Sequence, residues 1–333
     1  MSHNILELYS GIGGMHCAWN ESGLQGKIVA AVDINTVANE VYRHNFPDTK
    51  LLTKNIQKLS PQDIKRWKID TILMSPPCQP FTRNGKYLDD NDPRTNSFLY
   101  IIEILDQLDN IDYILMENVK GFESSTVRNL FIDKLKECNF IYQEFLLCPS
   151  SFGVPNSRLR YYCTARRKTL TWPFKRKDEI ITQLPKDYGL PFSLQTIIED
   201  DVHEKYLLPD KKLKHGNVLD ICHRTSKRSC CFTKAYTHYS EGTGSVYTDK
   251  SPEMVQKCYE KANLSEVGSD DYVESMKELK LRYFTPKEVL MLMSFPQSYS
   301  FPTNTSLKQC YRLLGNSVNV KVISELLKIL FEE

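Results

Sequence analysis

Cys78 is the residue whose setting asks for chemistry. Pro76-Pro77-Cys78-Gln79 follows an apolar run, Thr71-Ile-Leu-Met, that reads as a buried strand ending at Ser75. The thiol is therefore presented at a strand's C-terminal end, where open α/β sheets bind ligands. The two prolines fix their own φ and push the residues before them into extended backbone, a stiff mount suited to a nucleophile. An ordinary thiol is a few per cent thiolate at neutral pH yet intrinsically very nucleophilic, so it needs an electrophile that other groups activate. Glu117 follows a second apolar run, Tyr113-Ile-Leu-Met, and Arg158 and Arg160 open a third. A carboxyl held against a ring nitrogen would make a heteroaromatic base accept a soft nucleophile at carbon, and an arginine would bind the exocyclic oxygen. Each has a plainer reading: Cys78 as a small hydrophobe, Glu117 as a helix-start acid, the arginines as surface strand residues. Their joint placement at strand tips favours chemistry.

The elements that must position these groups alternate. Residues 4–9 read as a strand, Ser10-Gly-Ile-Gly-Gly as a glycine turn, and Met15 to Ser22 as a helix, the opening unit of a nucleotide-binding fold. The fingerprint GxGxxG is not met, because its third glycine falls at His16. The next strand, Ile28-Val-Ala-Ala-Val, ends in Asp33, placed to take the hydroxyls of a ribose. Together these suggest a nucleoside-containing cofactor without a pyrophosphate. Asn35 caps a helix over 36–45, 51–56 is a short strand, and the polar stretch 79–94 is long enough to be mobile. Helices follow over 97–108, with Asn96 as cap, and over 125–137, with Val127, Leu130, Phe131 and Leu135 on one face. Residues 142–147 and 160–164 read as a closing antiparallel pair. Near-continuous apolar strands in this alternation predict an α/β fold with a doubly wound, mostly parallel sheet covered on both faces.

After Trp172 the composition shifts. Lys175-Arg-Lys and the proline-bearing stretch to Pro191 read as a linker into a smaller second lobe. Residues 205–238 carry eight Lys or Arg against two Asp, interleaved with Tyr206, Phe232, Tyr236 and three histidines. That mixture resembles a nucleic-acid groove, with a solvated charged face as the alternative. Residues 249–280 are polar without a firm period and read as a mobile loop or weakly held helix. Thr285-Pro-Lys-Glu opens a helix with a capping box. Leu314-Gly-Asn-Ser-Val-Asn-Val, followed by a helix over 321–331, suggests that the chain returns to complete the first lobe.

With 333 residues, 41% of them hydrophobic and 25% charged, the composition is that of an ordinary globular protein of two domains. The formal net charge of +2 neither demands nor excludes a polyanion partner. Ten cysteines include no CxxC pair, only the adjacent Cys230 and Cys231, so neither a disulfide scaffold nor a zinc site is expected. No leader-like start and no membrane-spanning run is read, and a cytosolic or nuclear protein is expected.

The sequence resembles the cytosine-C5 methyltransferases, whose ordered motifs stand here as Tyr9-Ser-Gly-Ile-Gly-Gly, Asp33, Pro76-Pro-Cys-Gln, Glu117-Asn-Val, Arg158-Leu-Arg and Gly315-Asn-Ser-Val. Within that family it looks most like the eukaryotic branch called DNA methyltransferase two, which acts on tRNA. Stretches such as LYSGIGGMH, SPPCQPFTR, ENVKGFE and LLGNSVNV support this over nearly the whole chain, and CFTKAY, Cys231 to Tyr236, is that branch's own mark. The resemblance implies the Rossmann-like class I fold with S-adenosylmethionine as cofactor and no metal. Residues 1–180 would hold the first part of the catalytic domain, 181–284 a target-recognition domain with a mobile segment near 249–280, and 285–333 the rest of the catalytic domain. For the cofactor it implies Tyr9, in the place of a family Phe, with Gly11, Ile12, Gly13 and Gly14 at the methionine end. Asp33 would take the ribose, Ile34, Ile56 and Ser75 the nucleoside surroundings, and Asn316, Ser317 and Val318 would close the pocket. Asn55 stands where many relatives have Asp against the adenine amino group. In catalysis the resemblance implies Cys78 attacking C6 of a flipped cytosine, Glu117 on N3, Arg160 on the base and Arg158 in support, with Asn156 where the family has Gln. The implied partner is tRNA, tRNA-Asp with an anticodon-loop cytosine, bound by a monomer with DNA as a weak alternative. Two rival readings stay open at this point: a binding or chaperone protein that keeps the fold, and a nicotinamide oxidoreductase with a reactive cysteine.

Overall fold

Seven apolar runs pair side by side in the computed structural model, which describes residues 2–77, 96–170, 177–238 and 243–332. They are β1 (His3–Leu8), β2 (Gly26–Asp33), β3 (Lys50–Thr53), β4 (Thr71–Met74), β5 (Tyr113–Val119), β6 (Phe140–Leu147) and β7 (Arg160–Arg167). Their order is β3-β2-β1-β4-β5-β7-β6. The first five strands run parallel, and β7 runs antiparallel to both neighbours. Leu8 pairs with Met74 and Met74 with Met116, so the C-terminal ends of β1, β4 and β5 lie level. The order turns back between β1 and β4, the switch point beside which such sheets hold ligands.

Strand side chains alternate between two buried faces. Leu6, Leu8, Ile72, Met74, Ile114 and Met116 pack against α3 (Pro61–Arg66), α4 (Asn96–Ile104) and α5 (Thr126–Glu137). Ile5, Ala31, Leu73 and Leu115 face α1 (Gly14–Ser22) and α2 (Thr36–Asn45). The doubly wound, mostly parallel sheet expected from the sequence is what forms. Helix α3 was not foreseen, although Ser60 accepts from the Asp63 N–H and Pro61 stands at the first position, both readable start signals. On α5 the expected face shifts: Leu130 is exposed, and Ile132 takes its place with Val127, Phe131 and Leu135.

The stretch 177–191 is more than a linker. The Leu146 N–H donates to the Ile181 carbonyl at 2.9 Å and the Ile181 N–H to the Glu144 carbonyl at 2.9 Å, which covers the outer edge of β6. Beyond it come α6 (Asp210–Leu213) and a small sheet of β8 (Ile221–Cys222), β9 (Val246–Tyr247) and β10 (Arg282–Tyr283), with β9 in the middle. Between β9 and β10, the stretch expected as a loop or weakly held helix folds into α7 (Pro252–Ala262) and α8 (Asp270–Lys277), capped by Ser251 and Ser269. Val255, Cys258 and Ala262 are buried on α7, and Tyr272, Val273 and Met276 on α8. Their period was masked by small and part-polar types in a charged background.

The capping box of Thr285 and Glu288 opens α9 (Pro286–Leu292) as expected. A second box, Ser306 with Gln309, opens α10 (Leu307–Gly315) and was not foreseen. Helix α11 (Val320–Leu330) then returns to α1, where Phe331 meets Trp19 edge-on at 5.4 Å between ring centroids.

Candidate active site

At the end of β1 the backbone turns sharply, with Tyr9 at φ +55°, Gly11 at +51° and Gly13 at +84°. A bulky residue in the left-handed region is strained, and Tyr9 is tied on two sides. Its carbonyl accepts from Ser75 Oγ at 3.2 Å and its hydroxyl donates to Ser97 Oγ at 3.1 Å. The turn also aims the Gly11 N–H at Asp33 Oδ2, 2.8 Å away, while the Asn35 N–H donates to Oδ1 at 2.8 Å. Burial raises the Asp33 pKa, against the pull of these amides. Both oxygens keep a lone pair for an incoming hydroxyl. Beside it Ile34 is 68% exposed, an apolar surface without cover.

Ile12 is buried, and its carbonyl accepts from the Tyr299 hydroxyl. A Cβ on Gly14 would lie 2.6 Å from Val318 Cγ2 and 3.1 Å from Ser317 Oγ, so the C-terminal segment rests directly on the start of α1. Asn316, at the end of α10, is exposed beside it. The Lys54 N–H donates to the Asp33 carbonyl at 3.3 Å, which brings the turn at 55–58 next to the tip of β2. There the Asn55 carboxamide oxygen accepts from the Gln57 N–H at 3.0 Å as a cap, and Ile56 is a core residue.

Cys78 lies outside the described residues, as does the stretch 79–94. Its mount is visible in Pro76, whose carbonyl accepts from Asn118 Nδ2 at 3.5 Å. One strand away Glu117 is 8% exposed, with its Oε1 3.5 Å from Arg160 Nε. Burial raises the Glu117 pKa, and Arg160 and then Arg158 pull it back. Arg158 does not join that pair. Its guanidinium donates to the carbonyls of Phe232 at 3.2 Å, Gly315 at 3.2 Å and Ser317, clamping the second lobe to the C-terminal segment. Asn156 serves the same junction, donating to Ser229 Oγ and the Cys230 carbonyl, each at 3.1 Å. Two contributors escaped sequence reading. Asn118 had a signal in its place next to Glu117, whereas Ser229 reaches Asn156 across 73 positions and had none.

The basic stretch is partly neutralised. Arg224 meets Asp200 and Asp249, Arg228 meets Asp220, and Lys214 meets Asp270, while Lys211, Lys227 and Lys234 are exposed. Among the described residues no group of His, Cys, Asp or Glu could hold a metal ion. No helix there is long and apolar enough to cross a membrane.

The family model of C-5 cytosine-specific DNA methylase matches residues 3–332. A Spodoptera frugiperda protein named tRNA (cytosine(38)-C(5))-methyltransferase is 80% identical, covering 100% of each chain. A Mus musculus protein of the same name is 43% identical over 98% of this chain and 93% of its own. The crystal structure of a substituted Spodoptera frugiperda DNMT2 superposes with a TM-score of 0.95 at 79% identity, covering 99% of this chain and 100% of that one. A glycine turn with an acid at the next strand tip, a carboxylate–arginine pair one strand from a Pro-Pro-Cys mount, and matches of this extent have one common explanation: this chain belongs to the cytosine-C5 methyltransferases, in the branch of the DNMT2 proteins.

Proposed function

We propose that the chain transfers a methyl group from S-adenosylmethionine to C5 of a cytosine in tRNA, in the anticodon loop of tRNA-Asp, through a covalent bond from Cys78 to C6. The observation that carries this reading is the buried Glu117–Arg160 pair beside the Pro76-Pro77 mount. Support for the cofactor comes from the residues themselves. The 317–318 segment packs so closely on Gly14 that a Cβ there would clash, which holds that segment beside the glycine turn; Asp33 keeps acceptor capacity for ribose hydroxyls, and Ile34 offers apolar surface to a purine. When bound, S-adenosylmethionine would supply an electrophilic methyl group, its sulfur–methyl bond breaking so that S-adenosylhomocysteine leaves. The chain's own residues do the rest. With the base out of its stack, the Cys78 thiolate adds to C6. Glu117, biased toward its protonated form by burial, gives its proton to N3, and Arg160 holds the exocyclic oxygen. C5 becomes nucleophilic and gains the methyl group. Loss of the C5 proton, expulsion of the thiolate and return of the N3 proton to Glu117 restore base and enzyme.

The relatives named as tRNA methyltransferases support the substrate, as do the exposed Lys211, Lys227 and Lys234. The family's description as DNA methylases supports DNA as a second reading. The test is transfer of labelled methyl to total tRNA and to genomic DNA in parallel, with wild type and Cys78→Ala. Label in tRNA that vanishes with Cys78→Ala is the expected result. Label chiefly in DNA would keep the mechanism and overturn the substrate. Undiminished label with Cys78→Ala would overturn the mechanism.

A further inference from the structure

Arg158 and Arg160 bring two positive charges into one buried spot, and a single carboxylate, Glu117, faces them among the described residues. Glu117 stands against Arg160. The carbonyl partners of Arg158 are neutral, and its Nε has no partner among the described residues. A buried cation without an anion is expensive. The remaining contact is sulfur: Arg158 Nη1 donates to Cys231 Sγ at 3.5 Å, and Arg160 Nη2 donates to the same atom at 3.8 Å. One sulfur thus bridges both guanidiniums.

We propose that Cys231 is a thiolate in the resting protein and serves as the second counter-anion of the Arg158–Arg160 pair, a positioning residue that keeps Arg160 against Glu117. Burial pushes a thiol's pKa up, as at Cys163 and Cys258. At Cys231 the two guanidiniums outweigh burial, and the pKa is lowered. Among the described residues, the groups that face this cluster are Glu117 from β5, Tyr162 from β7, which burial keeps neutral, and Cys148, whose sulfur accepts from the Arg158 N–H at 3.3 Å. Even with Glu117 ionised, two guanidiniums and one carboxylate leave one uncompensated charge among the described residues, which a thiolate cancels.

The thiolate is a property of this chain alone; only the kinetic arm of its test rests on the function proposed above. In the full-length protein, the ultraviolet absorbance of thiolate is titrated for wild type minus Cys231→Ser. The expected midpoint lies below the ordinary thiol value of about 8.5, and a midpoint at or above it overturns the proposal. Native alkylation of wild type by iodoacetamide, read residue by residue, needs no variant. Between about pH 8 and 9 the Cys231 rate should change by less than about twofold, where an ordinary thiol still gains severalfold. A Cys231 rate that climbs with the ordinary thiols overturns the proposal, and so does a Cys231 that resists alkylation throughout. In the kinetic arm, Cys231→Ser should lower kcat by about tenfold with KM for tRNA nearly unchanged, and Cys231→Asp, which restores an anion, should recover most of it. Asp performing worse than Ser would assign Cys231 a packing role instead. Wild type without methyl transfer would sink the proposed function and leave the titration standing.

Discussion

Glu7 and Glu117 are carboxyls buried in neighbouring parts of one sheet, and their partners differ. Glu117 has a guanidinium within 3.5 Å. Glu7, fully buried beneath the glycine turn, has the Tyr42 hydroxyl at 2.7 Å and the His16 N–H at 3.3 Å. Desolvation therefore dominates at Glu7 and pushes its pKa up to about 8, while the His16 imidazole, 2.9 Å from the same hydroxyl, is pushed down to about 4 by burial. A protonated Glu7 donating to Tyr42, which donates to His16, satisfies all three neutral groups. The sign of the pH dependence follows. A carboxyl raised on folding contributes stability that is fully present below its ordinary value near 4.5 and is lost as pH rises through about 8. Glu7→Gln keeps the hydrogen bonds and removes the proton. Wild type should lose stability between about pH 6 and 8 with a slope approaching about 1.4 kcal/mol per pH unit from this group, and Glu7→Gln should lack that part. Denaturant unfolding at several pH values would check it, and parallel curves for the two proteins would refute the assignment.

Elements far apart in sequence meet at the end of α10. A Cβ on Gly315 would lie 2.0 Å from the Lys234 nitrogen and 2.2 Å from the Thr233 carbonyl carbon, so two backbones touch where no side chain fits. Backbone cannot yield as a side-chain tip would. Gly315→Ala must therefore displace either the 233–234 turn or the Ser317-Val318 segment resting on Gly14. The expected result is a fall in melting temperature together with weaker binding, by calorimetry, of the proposed cofactor S-adenosylmethionine. Gly23→Ala is the control: Gly23 has φ +74° but nothing within 4 Å of its Cβ position, so it should cost only about 1 kcal/mol. Equal effects of the two variants would remove the argument. The same junction explains what was legible in the sequence. The Thr285–Glu288 box and the strand–turn–helix at Tyr9 to Gly14 are written in adjacent residues. The sulfur bridge from Cys231 to Arg158 spans 73 positions, and only the folded chain brings its ends together. Helices α7 and α8 were legible only as a loop or weakly held helix because Cys258, Ala262 and Tyr272 bury apolar surface without announcing a period.

Over the whole molecule, one core runs across the expected division at 181 and 285. One apolar cluster runs from Ile5 and Leu73 on the large sheet through α11 and α9 to Phe232, Tyr247, Tyr272 and Phe284. Polar ties cross the same line. The Tyr311 hydroxyl donates to the Phe284 carbonyl at 2.6 Å. Buried Arg282 donates to Glu288 at 2.7 and 2.8 Å, while Glu288 also caps α9 and accepts from the Glu199 N–H at 2.9 Å. A buried ion pair of this kind is costly to break from one side, about 3–5 kcal/mol, because the remaining charge stays uncompensated. Neither lobe can unfold alone without exposing part of that shared core and breaking that pair. The full chain should accordingly melt in one transition, with calorimetric and van't Hoff enthalpies equal. Arg282→Met should move the whole transition to lower temperature while keeping it single. If scanning calorimetry instead resolved two transitions, with Arg282→Met shifting only one, the lobes would be independent folding units and the continuous core would carry no cooperativity between them.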